Sequence, residues 1–474
     1  MNLTRILNAN GSHTLNYCAT RLLPISLQTR KFSDAGYPRM PKCDHTPATY
    51  SGKSYETIRS GYKNFISPTI KLFYKEPLLL HEGKGQWLWD SNGKRYLDMY
   101  GGIVTVSVGH SHPKIISAIR EQSSKLNYIS PCYMHPRFIE YAEKLRSKFP
   151  GDLKVVYLLN SGSEANELAF QMARLHTKNY EILSLKNSYH GGTYATRAAT
   201  AITNWKFPIV PPSGHLHTVF PDVYSGLWGG SKCRDSSVQV QSRSCDCKDS
   251  ECLASEKYLR EMQDIFRFSM PAGGNIAGFI AESIQGVGGT VQYPKSFLKK
   301  AFDLTRKMGG VCISDEVQTG FGRTGEHFWG FEAHDVIPDI VTMAKGIGNG
   351  FPLAAVVTTP EIDRSLSRAQ HFNTFGGNPL GCAIGSTVLD IIEEEGLQQN
   401  SHVIGTHLIN RLSTLLSDFP EIVGDVRGKG LMLAVELISN SKTKEPLKIE
   451  RVNEIVEDTK DMGLLVGQGG VSSN

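Results

Sequence analysis

Lys345 stands in Asp339-Ile-Val-Thr-Met-Ala-Lys-Gly-Ile-Gly-Asn-Gly-Phe-Pro352, where an apolar run delivers one lysine into a glycine-rich turn. Upstream, a second apolar run ends in Asp315-Glu316-Val317-Gln318. A lysine held at the end of a buried strand is desolvated, which lowers its pKa and exposes the neutral amine needed for a Schiff base. A carboxylate on a neighbouring strand end keeps a pyridine nitrogen protonated and so makes the ring an electron sink. The pair points to pyridoxal phosphate chemistry, with Lys345 and Asp315 as its catalytic residues. Gln318 is placed to donate a hydrogen bond to the phenolic oxygen of that cofactor.

The other candidates complete such a site. Asn160-Ser-Gly-Ser-Glu-Ala-Asn166 follows a strand-like run and opens a helix with Ala165, Leu168, Ala169 and Met172 on one face. Gly162 and Ser163 would bind a phosphate at that helix start, where free N–H groups and the positive end of the dipole converge. Tyr189-His190-Gly191 offers a ring to stack on the cofactor and an imidazole beside it. Glu282 is a second carboxylate for the cofactor site. Thr374, in Asn373-Thr-Phe-Gly-Gly-Asn-Pro379, either finishes the phosphate cup or belongs to a plain connecting turn. Arg427, read in a Val-Arg-Gly-Lys-Gly turn, has the planar fork that clamps a substrate carboxylate.

These residues require elements that bring them to one place. Apolar runs at Val155–Leu159, Ile182–Leu185, Ile276–Ala281, Val311–Ser314, Ile340–Ala344 and Leu353–Val357 alternate with helical patterns. That layout predicts an α/β fold, a mostly parallel sheet wrapped by helices. Ligands of such sheets bind beyond the carboxyl ends of the strands. Ser161–Ser163, Tyr189–Gly191, Glu282, Asp315 and Lys345 all fall at those ends. Gln86–Asp90 and Arg95–Tyr100, joined through Asn92-Gly93, read as a hairpin. After about residue 395 the pattern changes to a helix over His402–Leu416 and a turn leading into a strand over Glu421–Glu436.

With 40% hydrophobic and 20% charged residues, the composition is that of a globular protein. A formal charge of +5, partly carried by the N-terminus, gives no nucleic-acid surface. No stretch has the roughly 20 continuous apolar residues of a membrane span. Residues 1–33 contain no Asp or Glu, and they carry Arg5, Arg21, Arg30 and Lys31. They read as a mitochondrial presequence, which puts the mature protein in the matrix.

Nine cysteines are scattered without a secretory signal, so they are no disulfide framework. Cys233, Cys245, Cys247 and Cys252 cluster in the polar stretch Gly229–Glu256. Their Cys-x-Cys and Cys-x4-Cys spacings miss the paired knuckles of common zinc sites. The expectation is a surface insertion with reduced thiols and no metal, with a structural zinc as the less favoured alternative.

From about Pro68 to about Gly467 the chain resembles the class-III aminotransferases, which are fold-type-I pyridoxal-phosphate-dependent enzymes. The most specific segment is Asp315-Glu-Val-Gln-Thr-Gly-Phe-Gly-Arg-Thr-Gly325 with Lys345 downstream. The resemblance implies that Lys345 holds the cofactor and moves the proton, Asp315 holds the pyridine nitrogen, and Tyr189 stacks on the ring. It further implies that Thr374 reaches the phosphate of a neighbouring subunit, making a homodimer or homotetramer with shared active sites, and that Arg427 binds the substrate carboxylate. The expected reaction moves an amino group from alanine or a similar small amino acid to glyoxylate or pyruvate. Implied domains are a presequence (1–33), an N-terminal part of a small lobe (34–105), a large cofactor-binding domain (106–395) and a C-terminal small lobe (396–474).

Three departures from the family pattern matter. Relatives acting on distal amino groups often carry an acid five residues after the position of Glu282. Here that residue is Val287, which leaves Arg427 always available for small 2-amino and 2-oxo acids. Position 283 is Ser where the family usually has Pro, a minor change. After Gly467 the family continues through another strand and a final helix, whereas this chain stops at Asn474. The expectation is a shortened small lobe with an exposed sheet edge. Alternative readings are an inactive partner of a longer aminotransferase, or an aminotransferase acting on omega-amino acids.

Overall fold

A computed structural model describes residues 40–245, 247, 252–272 and 274–474. The expected presequence lies outside these residues. His45–Asn474 form one contact unit. Residues 40–44, the described part of the other unit, contain no helix or strand.

The strands are β1 (Leu80–Lys84), β2 (Trp87–Asp90), β3 (Arg95–Asp98), β4 (Val155–Leu159), β5 (Ile182–Leu185), β6 (His215–Thr218), β7 (Gly278–Glu282), β8 (Val311–Asp315), β9 (Ile340–Met343), β10 (Ala354–Thr358), β11 (Val423–Lys429), β12 (Met432–Asn440), β13 (Glu445–Pro446) and β14 (Leu464–Leu465). Seven of them form the large sheet in the order β4-β10-β9-β8-β7-β5-β6. β10 runs antiparallel to both of its neighbours, and every other pairing in this sheet is parallel.

Helices cover both faces of this sheet, and the burial pattern shows it. Along β10, Ala354 and Val356 join one core cluster while Ala355 and Val357 join another on the opposite face. A strand with a period of two and both faces buried reads as a continuous apolar run, and this is why these strands are visible in the sequence. The helix Gly162–Thr177 packs against β9 and β10, burying Ala165, Leu168, Ala169 and Met172 as its spacing predicts. Each large apolar side chain so buried contributes about 1.5–3 kcal/mol.

The hairpin forms as expected, pairing Trp87 with Leu97 and Trp89 with Arg95. Gly93, at φ 79, supplies the left-handed turn residue. β1, β2, β3 and β14 make a four-stranded sheet with β14 at its edge, where an exposed edge was expected. Beyond β14 the chain crosses to the Gly286–Thr290 turn, where Gly470 donates to the Val287 carbonyl at 2.8 Å. Asn204 donates to the carbonyl of Val471 at 3.0 Å.

Two local expectations are corrected, and one strand carries no sequence signal. The helix expected over His402–Leu416 runs Leu397–Leu412, with a separate short helix at Leu415–Asp418, because Gly396 at φ 60 starts it earlier. Arg427 lies within β11 and not in a turn, since pairing with β12 continues through Lys429 and the reversal falls at Gly430. β6 has no apolar run in the sequence because it is a short edge strand paired only with β5. No helix among the described residues is long and apolar enough to cross a membrane.

Candidate active site

The parallel sheet brings its strand ends together around a cavity of about 170 Å³. Its walls include Gly162 and Ser163 after β4, Tyr189 and His190 after β5, Glu282 ending β7, Asp315 ending β8, Gln318 in the following turn, and Lys345 after β9. All five strand-end groups singled out in the sequence therefore meet in one place.

Lys345 occupies the first position of a 3-10 turn with its backbone at φ 52, in the left-handed region. A non-glycine residue held there costs on the order of 1–3 kcal/mol, so the surrounding glycine-rich turn and buried sheet must impose it. Burial lowers the amine's pKa, opposed by the charges of Asp315 and Glu282. The result is an amine inclined toward its neutral, nucleophilic form.

Asp315 is fixed on one side. Its Oδ2 receives hydrogen bonds from Asn166 Nδ2 at 2.8 Å and stands 2.8 Å from His190 Nδ1, while Oδ1 accepts from the N–H of Val317 at 3.1 Å. Both Asp315 and His190 are buried. Glu282 accepts from the N–H groups of Tyr189 (3.1 Å) and Gly286 (2.9 Å). Burial pushes its pKa up to about 7, against the lowering effect of His190 and with a further rise from Asp315. Two buried carboxylates facing one amine leave the cavity short of positive charge.

At the other end, Ser161 caps the helix Gly162–Thr177, and the first-turn N–H groups of Gly162 and Ser163 have no intrahelical acceptor. Ser163 Oγ accepts from Gly192 N–H at 3.0 Å. This approach requires glycine at 191, where a Cβ would lie 2.5 Å from Ser163 Oγ. At 286 a Cβ would lie 2.2 Å from Gln318 Oε1, so a larger residue there would push the Gln318 amide aside. A pyridinium ring bearing a phosphate fits this donor set: the carboxylates complement the ring nitrogen, the helix start complements the phosphate, and Lys345 lines the same cavity.

Two candidates lie outside the cavity. Thr374 is exposed, on a loop anchored by Asn373, which accepts from Asn160 Nδ2 at 2.9 Å and donates to Glu164 at 3.2 Å. Arg427 is buried, and its guanidinium is already engaged. Its Nε and Nη2 donate to the Gly289 carbonyl at 2.9 and 2.7 Å, and Nη1 pairs with Asp425 at 3.2 Å and with Glu436. The expectation that Val287 leaves Arg427 always available is therefore corrected. Glu436, on the strand paired with β11, is an acid already in contact with the Arg427 guanidinium.

Sequence reading missed Asn166, although it sits one helical turn after Gly162 on the face toward β8. It also missed Trp205, whose ring meets Tyr189 edge-on at 5.0 Å, and Glu436. No local spacing pointed to the last two.

Comparison with known proteins agrees with this geometry. A family model described as aminotransferase class-III matches residues 73–473. The mitochondrial alanine–glyoxylate aminotransferase 2 of Homo sapiens is 51% identical over 470 residues, covering 99% of this chain and 89% of that protein. Among solved structures, a phospholyase from Arthrobacter in complex with phosphoethanolamine superposes with a TM-score of 0.78 at 33% identity, covering 88% of this chain and 93% of that one. A thermostable (S)-enantioselective omega-transaminase from Thermomicrobium roseum gives 0.77 at 32% identity, with 88% and 92% covered. A match over nearly the whole chain, joined to a cavity that suits pyridoxal phosphate, places this protein among the class-III aminotransferases, with pyridoxal phosphate as its cofactor.

Proposed function

We propose that this aminotransferase takes its amino group from alanine or a similar small amino acid, 3-amino acids included, and delivers it to glyoxylate or pyruvate in the mitochondrial matrix. The observation that carries the reading is Lys345 held at φ 52 in the same wall as Asp315 and Glu282. The 51% identity to a mitochondrial alanine–glyoxylate aminotransferase supports the substrate class and the compartment.

Bound pyridoxal phosphate supplies the electron sink for a substrate carbon losing its proton. The chain's own groups do the rest. Lys345 Nζ, kept toward its neutral form by burial, takes the proton from the α-carbon of the amino acid. Asp315, fixed by Asn166 and His190, holds the proton on the ring nitrogen. Gly162 and Ser163 hold the phosphate, Tyr189 covers one ring face, Gln318 reaches the phenolic oxygen, and Glu282 orders the Tyr189 and Gly286 backbones. Arg427 takes the substrate carboxylate when Glu436 yields it. Thr374, outside its own chain's cavity, serves the phosphate site of a second subunit, so the active form is a homodimer or a homotetramer. The assembly of Gly162, Ser163, Tyr189, Glu282, Asp315, Gln318 and Lys345 in one cavity favours an active enzyme over an inactive partner.

The test is an absorption spectrum of purified protein with pyridoxal phosphate, before and after adding alanine, beside Lys345→Ala. A visible band that alanine bleaches with stoichiometric pyruvate, in the native chain alone, supports the reading. Bleaching without pyruvate, or release of phosphate from phosphoethanolamine in place of amino transfer, overturns it.

A further inference from the structure

Between β6 and the helix Leu253–Phe268 the described chain has no helix or strand. Irregular segments of this length are uncommon inside compact domains unless something ties them down. This one is nonetheless buried at key points: Cys233 and Cys252 are enclosed in the core cluster with Val223, Tyr224, Tyr258 and Phe297, and Cys245 and Cys247 pack against it. The sequence expectation of a surface insertion is thus corrected for its cysteines, which turn inward.

Three of the thiols converge, and the fourth, Cys245, adjoins one of them. The sulfurs of Cys233, Cys247 and Cys252 all lie within 4.8 Å of one another. Cys247 Sγ is 3.5 Å from Cys233, 3.6 Å from Cys252 and 2.8 Å from Cys245. None of the four is in a disulfide. In a tetrahedral tetrathiolate with Zn–S bonds of 2.3 Å, the sulfurs stand about 3.8 Å apart, close to two of these separations. Thiols are weak hydrogen-bonding partners, so three sulfurs within 4.8 Å of one another, with Cys245 beside Cys247, gain little from each other as neutral groups at the edge of an apolar core. Cys252 is the N-cap residue of the helix Leu253–Phe268, where the positive end of the dipole favours thiolate charge.

We propose that Cys233, Cys245, Cys247 and Cys252 bind one zinc ion as a structural tetrathiolate, giving up their thiol protons to solvent as four Zn–S bonds form. No electrons move. The local spacing hides the site because the ligands are assembled by the fold: Cys233 comes from the far end of the insertion and Cys252 from a helix start. The site also reaches toward the active site. Arg234, next to Cys233, is fully buried and pairs with Asp425 at 2.6 and 2.8 Å, and Asp425 in turn pairs with Arg427. A zinc ion that fixes Cys233 therefore fixes the base of the Arg234–Asp425–Arg427 chain.

Metal content of the untagged full-length holoenzyme, produced in zinc-supplemented medium, tests this. About one zinc per chain is expected. Mercurial titration should release it, exposing four further thiols. Cys233→Ser and Cys247→Ser should each lose the metal, while Cys132→Ser, at an exposed position, keeps it. If the serine variants fail to fold, cobalt uptake by the wild-type chain decides: tetrahedral thiolate coordination gives intense visible absorption. Zinc that persists in both serine variants, iron in its place, or wild-type protein that takes up neither zinc nor cobalt while its four thiols stay reactive would overturn the proposal. These readouts do not involve transamination, so failure of the substrate reading leaves them intact.

Discussion

His190 Nδ1 and Asp315 Oδ2 lie 2.8 Å apart with both side chains buried, and Asn166 Nδ2 meets the same oxygen at the same distance. The carboxylate is thus held from behind, with its direction set by two neighbours from separate elements. Removing one donor beside a buried carboxylate costs about 1–3 kcal/mol. Asn166→Ala is expected to weaken pyridoxal phosphate binding about tenfold, which is about 1.4 kcal/mol, measured by fluorescence titration of the apoenzyme. Unchanged affinity and turnover would remove Asn166 from the positioning of Asp315.

Lys345→Ala removes the group proposed to transfer the proton. General acid–base groups contribute about 10²–10⁴-fold, and loss of covalent attachment adds to this. Turnover should fall by at least about 10³-fold while circular dichroism stays unchanged. A Lys345→Ala variant with more than a few per cent of native kcat would exclude Lys345 as the base.

The pH dependence of apoenzyme stability reports on Glu282. Its pKa in the folded chain is raised to about 7 from an ordinary 4.5. Between those values the folded state holds the proton and the unfolded state does not, so this group makes stability fall as pH rises. The stabilisation is complete below the ordinary pKa and lost above about 7, a change of about 3 kcal/mol. Denaturant titrations of wild type and Glu282→Gln from pH 4.5 to 8 should show the wild type losing that amount relative to the variant. Parallel curves would mean Glu282 is ionised throughout.

If Arg427 takes the substrate carboxylate as proposed, Glu436, already paired with it, competes with substrate. Glu436→Gln should lower KM for alanine and glyoxylate about tenfold, corresponding to about 1.4 kcal/mol, with little change in kcat. Arg427→Ala should raise KM for both. If Glu436→Gln raises KM, the carboxylate is orienting Arg427 and not blocking it.

Arg234 and Asp425 form a bidentate pair at 1% and 2% side-chain exposure, with the Arg234 guanidinium also donating to the Val238 and Val426 carbonyls. Desolvation raises the Asp425 pKa, but Arg234 and Arg427 overcome it and hold the carboxyl below its usual range. Arg234→Ala strands a buried carboxylate and should destabilise the protein by about 3–5 kcal/mol, read as a fall in the denaturation midpoint. A loss below about 1 kcal/mol would show that water replaces the arginine at little cost.

The central strands, the helix after Ser161 and the strand-end position of Lys345 were legible because burial on both faces writes itself as local apolar periodicity. The principal cavity residues followed, since a parallel sheet puts its strand ends on one side. The sequence by itself thus determined the family and which lysine, carboxylates and helix start share the cavity. Only the tertiary structure decided what those groups meet. Asn166 and His190 reach Asp315 from distant elements, Glu436 occupies Arg427 from across a strand pair, and cysteines with unpromising spacing come into contact. Side-chain partnerships between segments far apart in the chain leave no periodicity in the sequence. They are set by how the elements pack, and there the availability of Arg427 and the convergence of the thiols are decided.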